Sequence, residues 1–167
     1  MLKRLLALLV FIPFLMVAFA GAAQTFSGLQ ADQPVEVTST RLEVFQAERK
    51  TVFSGDVVAT QGDFVLNAKQ LTVFFNADQS QVERMEAVGQ VKITQQGRIA
   101  TADKAIFKQP EQVLELQGNA QLQQGENRIV GDEITVYLKE NRSVVKSSGS
   151  GRVKALIIPA KKQDGAR

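Results

Sequence analysis

Apolar side chains in this chain fall on every second position, and they do so in repeated blocks. Phe53, Gly55, Val57 and Ala59 share one parity. So do Met85, Ala87, Gly89, Val91 and Ile93, and so do Leu114, Leu116, Gly118, Ala120 and Leu122. A weaker fourth block holds Val145, Ser147, Gly149, Gly151, Val153 and Ala155. In the clearest block the other parity reads Glu115, Gln117, Asn119, Gln121 and Gln123. Successive side chains of a strand point to opposite faces, so each block predicts a strand with a dry face and a wet one. The three- and four-residue apolar spacing of a helix is missing from these blocks.

The blocks are copies of one unit. Gly55-Asp-Val-Val-Ala-Thr-Gln-Gly62 is echoed by Gly89-Gln-Val-Lys-Ile-Thr-Gln-Gln-Gly97, by Gly118-Asn-Ala-Gln-Leu-Gln-Gln-Gly125 and in part by Gly151-Arg-Val-Lys-Ala-Leu156. The leading glycines are 34, 29 and 33 residues apart. Such a period marks one supersecondary unit stacked on copies of itself. The leading glycine sits on the dry parity in mid-strand, where glycine marks a bend or a close backbone approach. Each long strand is therefore expected to turn a corner at Gly55, Gly89, Gly118 and Gly151.

A second strand follows each unit's closing glycine, at Phe64 to Phe75, Ile99 to Phe107 and Ile129 to Leu138. Inside these strands lie Ala68-Lys-Gln-Leu71, Ala102-Asp-Lys-Ala105 and Gly131-Asp-Glu-Ile134. The apolar parity switches there, which an extra residue in that strand would produce as a bulge. Turns are signalled at Asn76-Ala-Asp-Gln, Gln109-Pro-Glu-Gln and Lys139-Glu-Asn-Arg. The fold class that results is all-β: an open twisted β-jelly roll or solenoid of stacked bent antiparallel strands. A stack leaves an unpaired strand at each end. Val35, Val37, Val153, Leu156 and Ile157 are the residues expected to pair with other chains there.

Composition adds an address. Lys3 and Arg4 precede an apolar run from Leu5 to Phe19, followed by Ala20-Gly-Ala-Ala23. This is the pattern of a secretory signal peptide, and the run is shorter than the roughly 20 residues of a membrane-spanning helix. Residues 1–23 are expected to be removed near Ala23, leaving a domain over 24–159 and a flexible tail over 160–167. Net charge falls from +3 to +1 when Lys3 and Arg4 leave. The remaining bases are spread out and balanced by acids, so a nucleic-acid partner has no concentrated basic face to use.

Catalytic chemistry finds no foothold. The chain has no histidine and no cysteine, which removes the commonest general base, the thiolate nucleophile and the usual zinc ligands. There is no phosphate-binding G-x-x-x-x-G-K-[ST] loop. The acid pair Asp132-Glu133 aligns with Asp103-Lys104 and Lys69-Gln70 in the other copies. A position that accepts either sign is a solvated face. No enzyme, cofactor or metal is expected.

What remains is the interior. A continuous dry surface would suit acyl chains: burying a methylene stabilises by about 0.8 kcal/mol, so a twelve-carbon chain would gain roughly 8 to 9 kcal/mol. A purely structural filament with a filled core is the other reading of the same pattern.

The signal peptide, Asp32-Gln33-Pro34-Val35-Glu-Val, Phe53-Ser-Gly55-Asp-Val, Leu116-Gln-Gly118-Asn-Ala-Gln-Leu-Gln-Gln124 and Ile129-Val-Gly131-Asp-Glu-Ile-Thr together resemble the OstA-like family of periplasmic lipopolysaccharide-transport proteins. The likeness spans about Gln30 to Pro159. It implies a twisted jelly roll that self-associates head to tail in the periplasm. The family's ligand is lipopolysaccharide, its lipid A acyl chains held in a groove. An inner-membrane LptC-like protein is implied at the N-terminal edge and an outer-membrane LptD-like protein at the C-terminal edge. Val35 is then expected at the entry end of the groove, and Val37 is expected within the groove. Phe53, Val57, Leu71, Val73, Val91 and Ile93 are expected along it, with Phe107, Leu116, Leu122 and Val136. Ala105 departs from the pattern, being small where the other copies carry Leu71 and Ile134.

Overall fold

The computed structural model describes residues 33–149 and 151–159. The signal peptide expected over 1–23, the residues to Asp32, and the tail expected over 160–167 lie outside that range. Every regular element among the described residues is a strand: β1 (Glu36–Thr38), β2 (Arg41–Phe45), β3 (Lys50–Gln61), β4 (Phe64–Phe75), β5 (Val82–Gln95), β6 (Arg98–Lys108), β7 (Val113–Gln124), β8 (Asn127–Tyr137), β9 (Arg142–Lys146) and β10 (Lys154–Leu156). All pairings are antiparallel, and neighbours in sequence are neighbours in the sheet from β3 to β8. The expected all-β stack is what the chain forms.

Each long strand is bent, and the bend has a fixed construction. Pairing of β3 with β4 jumps from Ser54↔Gln70 to Val57↔Ala68, so Gly55 and Asp56 oppose the single residue Lys69. The same jump sets Gly89 and Gln90 against Asp103, and Gly118 and Asn119 against Asp132. Both residues of each pair are left-handed: φ is 80° and 46° at Gly55-Asp56, 83° and 53° at Gly89-Gln90, 75° and 49° at Gly118-Asn119. Two residues against one is a β-bulge, which kinks the strand that carries it. The extra residue therefore lies in β3, β5 and β7. This corrects the placement in β4, β6 and β8 read from the parity switch. The switch itself is real: burial passes from Leu66 and Ala68 to Leu71 and Val73 across the exposed pair Lys69 and Gln70. It arises because the even strand is the short side of the bulge.

The fourth corner is different. Gly151 has no left-handed φ of its own. It falls in a gap between β9 and β10, which pair separately with the two arms of β8. The continuous fourth strand read from Val145 to Ala155 is thus broken. The N-terminal edge is broken in the same way, β1 and β2 pairing with the two arms of β3 around Ser39 and Thr40. Counting each broken pair as one, the fold is eight V-shaped strands stacked along one axis. Two arms of one sheet face each other across the core.

Residues that the three full blocks put inside are buried or half-buried, whereas Val153 and Ala155 of the weaker fourth block are exposed. Val57, Leu71, Val73, Val91, Ile93 and Phe107 belong to the buried cluster with Leu114, Leu116, Ile134 and Val136. Phe53, Met85 and Leu122 pack against it half-buried. Polar groups tie the corners together on the outside. Asn119 Nδ2 donates to Asp103 Oδ2 at 2.8 Å. Asp132 Oδ2 accepts from the Ser148 N–H at 2.6 Å and the Ser147 hydroxyl at 2.9 Å.

Two predictions follow from the corners. A Cβ on Gly89 would lie 2.8 Å from Lys69 Cβ, whereas one on Gly97, also left-handed at 74°, would meet nothing within 4 Å. Gly97→Ala is expected to cost about 1 kcal/mol from backbone strain alone, and Gly89→Ala about 2–3 kcal/mol; urea unfolding of both variants measures the difference. The second concerns Asp132, whose carboxyl is held below its usual pKa first by the Ser148 N–H and then by the Ser147 hydroxyl. A folded-state pKa below the unfolded one gives stabilisation that is present above about pH 4 and lost as pH falls through the folded value. The Ser148 amide resonance should therefore shift on acidification below about pH 4, and Asp132→Asn should abolish the shift.

Candidate apolar groove

The two arms do not close on each other everywhere. Toward the N-terminal half of the stack they leave a cavity of about 280 Å³, just under the roughly 300–1,000 Å³ typical of ligand pockets. One arm contributes Val37, Ala59, Phe64, Leu66 and Ile93. The other contributes Phe53, Leu71, Val73, Met85, Ala87 and Phe107, among others. Thr51 is the one lining residue with a side-chain hydroxyl. Val35 lines the cavity while 46% exposed, so the hollow reaches solvent at the N-terminal edge.

Cross-strand register explains where the hollow falls. Along one inward row the pairs run Leu42↔Phe53, Phe53↔Leu71, Leu71↔Ala87, Ala87↔Ala105, Ala105↔Leu116 and Leu116↔Ile134. Two alanines stand side by side in the middle of a row of large side chains. Ala59 faces the same space from the opposite arm. Beyond them Leu116 and Ile134, both 0% exposed, and Val136, at 1%, fill the interior. The small Ala105, which left its contribution open in sequence, is a wall of the cavity and part of the reason it exists.

The expected groove residues divide accordingly. Val35, Val37, Phe53, Leu71, Val73, Ile93 and Phe107 are brought together around the cavity. Val57 and Val91 are fully buried at the corner, opposite Ala68 and Ala102. Leu116, Leu122 and Val136 lie in the filled half and are not among the lining residues. Lining positions that sequence reasoning did not assign to the groove include Phe64 and Leu66 on one arm and Phe75, Val82, Ala87 and Leu138 on the other. Phe64 and Phe75 were legible as the two ends of a predicted strand. Ala87 carried no signal beyond its parity.

Both edges expose apolar side chains. Val153, Leu156 and Ile157 are 43%, 56% and 74% exposed at the C-terminal edge. At the other edge Leu42 and Val44 are 55% and 63% exposed. Leu42 opposes Phe53 and Val44 opposes Thr51, so both occupy inward positions at the end of the stack. Among the described residues no group of three His, Cys, Asp or Glu side chains is placed to hold a metal ion, and no helix is long and apolar enough to cross a membrane.

Comparison with known proteins agrees with this architecture. A family model described as LptA/(LptD N-terminal domain) LPS transport protein matches residues 36–142. A Rhizobium meliloti (strain 1021) protein is 30% identical over 158 residues, covering 86% of this chain and 84% of its own length. The lipopolysaccharide export system protein LptA of Escherichia coli (strain K12) is 27% identical over 139 residues, 80% of this chain and 75% of its own. The crystal structure of LptH, an LptA-homologous periplasmic component of the lipopolysaccharide transport device of Pseudomonas aeruginosa, matches with a TM-score of 0.69. That match covers 78% of this chain and 99% of LptH at 21% identity, and so shows a common fold. The family model covers well over half of the chain and the LptA relative agrees with it: the chain belongs to the LptA/(LptD N-terminal domain) family of LPS transport proteins, which are not enzymes.

Proposed function

We propose that this protein is a periplasmic lipopolysaccharide carrier that holds lipid A acyl chains in the cavity between its two arms. The cavity carries the reading: it is almost wholly apolar and open at the N-terminal edge, where the lining residue Val35 is exposed. Transfer of methylenes from water drives occupancy and asks for no specific polar contact. The names of its relatives support the cargo and the compartment, LptA as a lipopolysaccharide export protein and LptH as a periplasmic component. A leader removed near Ala23 would deliver the chain there.

In this reading the two edges are docking strands. β1 and β10 each have a neighbour on one side in the sheet order, and strand addition to such an edge supplies main-chain hydrogen bonds. An inner-membrane LptC-like protein would add at the N-terminal edge and an outer-membrane LptD-like protein at the C-terminal edge. Further copies of this chain would add head to tail between them. Lipopolysaccharide would pass along the joined interior from the inner-membrane export complex to the outer-membrane translocon.

A second reading, a structural filament with a filled core, draws on the packed half around Leu116, Ile134 and Val136. Two experiments separate them. A photo-crosslinking side chain at Phe107 or Ile93 is expected to capture lipopolysaccharide in cells, while one at the corner residue Val57 is not; no capture at any of the three would favour the filament. Ala105→Leu fills the hollow, so it is expected to weaken binding of an apolar dye or a fatty acid several-fold with the unfolding midpoint unchanged or raised. Leu116→Ala should instead cost about 2–5 kcal/mol of stability and leave that binding intact. Unaltered binding in Ala105→Leu would count against the groove.

A further inference from the structure

Just outside the cavity, on the outer surface of the same arm, the register lines up a row of cations and aromatic rings. Lys50 pairs with Phe74, Phe74 with Arg84 and Arg84 with Lys108. Past Val113 the row continues through Tyr137 to Arg142. At its start Phe45 pairs with Lys50. The row therefore crosses the sheet from β2 to β9 with four cations and no carboxylate. With strands about 4.8 Å apart, Lys50 and Arg142 are roughly 29 Å apart along the stack.

Rings lie under three of the four cations. Lys50 Nζ lies 4.8 Å from the Phe45 ring centroid, Arg84 Cζ 4.2 Å from that of Phe74, and Arg142 Cζ 4.0 Å from that of Tyr137. Carboxylates bind from beside the row. Arg84 Nη2 reaches Glu86 at 3.1 Å, Lys108 Nζ reaches Glu115 at 2.6 Å, and Arg142 Nε reaches Glu140 at 3.0 Å. A guanidinium has five N–H donors and an ammonium three, so one such contact leaves donors over. Arg84, Lys108 and Arg142 remain accessible, with side chains 42%, 41% and 51% exposed, while Lys50, paired with Glu48, is 25% exposed. Glu115 also raises the pKa of Lys108, first by its hydrogen bond and then by its charge, which keeps the lysine protonated.

The row runs along the same strand ends as the cavity wall, one residue out of register with it. Phe74 and Tyr137 point outward, and their chain neighbours Phe75 and Leu138 line the hollow. An amphiphile whose chains lie past Phe75 and Leu138 would bring its head over this lip and onto the row. An arginine over a ring keeps N–H donors for a phosphate, a bidentate acceptor.

We propose that this outer row is a headgroup track, binding the phosphate groups of a phosphorylated glycolipid while its acyl chains occupy the cavity. The proposal rests on the acyl-chain reading of the cavity and adds the chemistry of the head. Because the cations recur along the stack, the phosphates find successive partners as the lipid moves.

The test measures binding of phosphorylated lipid A, enzymatically dephosphorylated lipid A and a fatty acid to the full chain. The proteins are the wild type, Arg84→Gln/Lys108→Gln, and the charge-keeping Arg84→Lys/Lys108→Arg. The wild type is expected to prefer phosphorylated lipid A by tenfold or more, a preference that weakens as salt rises. The glutamine pair should lose that preference while binding the fatty acid and dephosphorylated lipid as before; the charge-keeping pair should retain it. Equal binding of both lipid A forms by wild type, or an unchanged preference in the glutamine pair, overturns the track and leaves the cavity reading standing. Failure of the wild type to bind any of the three ligands overturns both. Displacement of phosphorylated lipid A by millimolar inorganic phosphate as effective as that by dephosphorylated lipid would mark a free-anion site and overturn the headgroup assignment.

Discussion

Everything in this molecule depends on bending a strand without breaking its pairing. A flat antiparallel sheet with one dry face would need a second element to cover it. Here the sheet covers itself, because Gly55-Asp56, Gly89-Gln90 and Gly118-Asn119 each insert two left-handed residues against one partner residue. The kink turns one apolar face into two that oppose each other. Glycine is demanded twice at each of these corners, by its φ and by the side chain of the preceding strand beneath it: Thr40, Lys69 or Asp103. The remaining eight-strand stack repeats that solution, and its two ends show what happens when a neighbour is missing. There the corner opens and one strand becomes two, β1 with β2 and β9 with β10.

A self-covering sheet is hollow or filled according to side-chain size along rows that run across the strands. The chain uses both states. Ala59, Ala87 and Ala105 leave space in one half, while Leu116, Ile134 and Val136 close the other. An apolar cavity of this size is a standing cost, since its walls lack partners on one side. Native cores keep few such voids. This one reaches an exposed edge at Val35, which is what the proposed function makes use of.

Much of this was legible in the alternation. The period-two rows named the buried residues from Phe53 to Val136, and the recurring glycine marked the corners, because both signals are local along one strand. What escaped was whatever depends on two strands at once. The parity switch from Ala68 to Leu71 is a local fact, but which strand holds the extra residue is a property of the pair. The adjacency of Ala87 and Ala105 exists only through the β5–β6 register, so the hollow could not be read from composition. Gly151 matched the repeat in sequence and not in structure, because an edge strand has no outer neighbour to hold its corner. The family likeness supplied the ligand and the partners; periodicity supplied the surface on which they could act.

Where selectivity can arise follows from the physics of the interior. Apolar transfer is proportional to buried area and nearly blind to what a chain is attached to. A groove walled by Phe53, Leu71, Ile93 and Phe107 would therefore hold many amphiphiles about equally well per methylene. It would also let them slide, since no directional contact resists motion along the row. Discrimination must come from groups that meet the ligand where it leaves the apolar space. The outward neighbours of the lip are the ones with direction and charge, Arg84, Lys108 and Arg142 held against rings and carboxylates. On the proposed reading a conduit built this way separates its two tasks onto the two faces of one strand: the inward parity would set how strongly a lipid is held, and the outward parity which lipid it is.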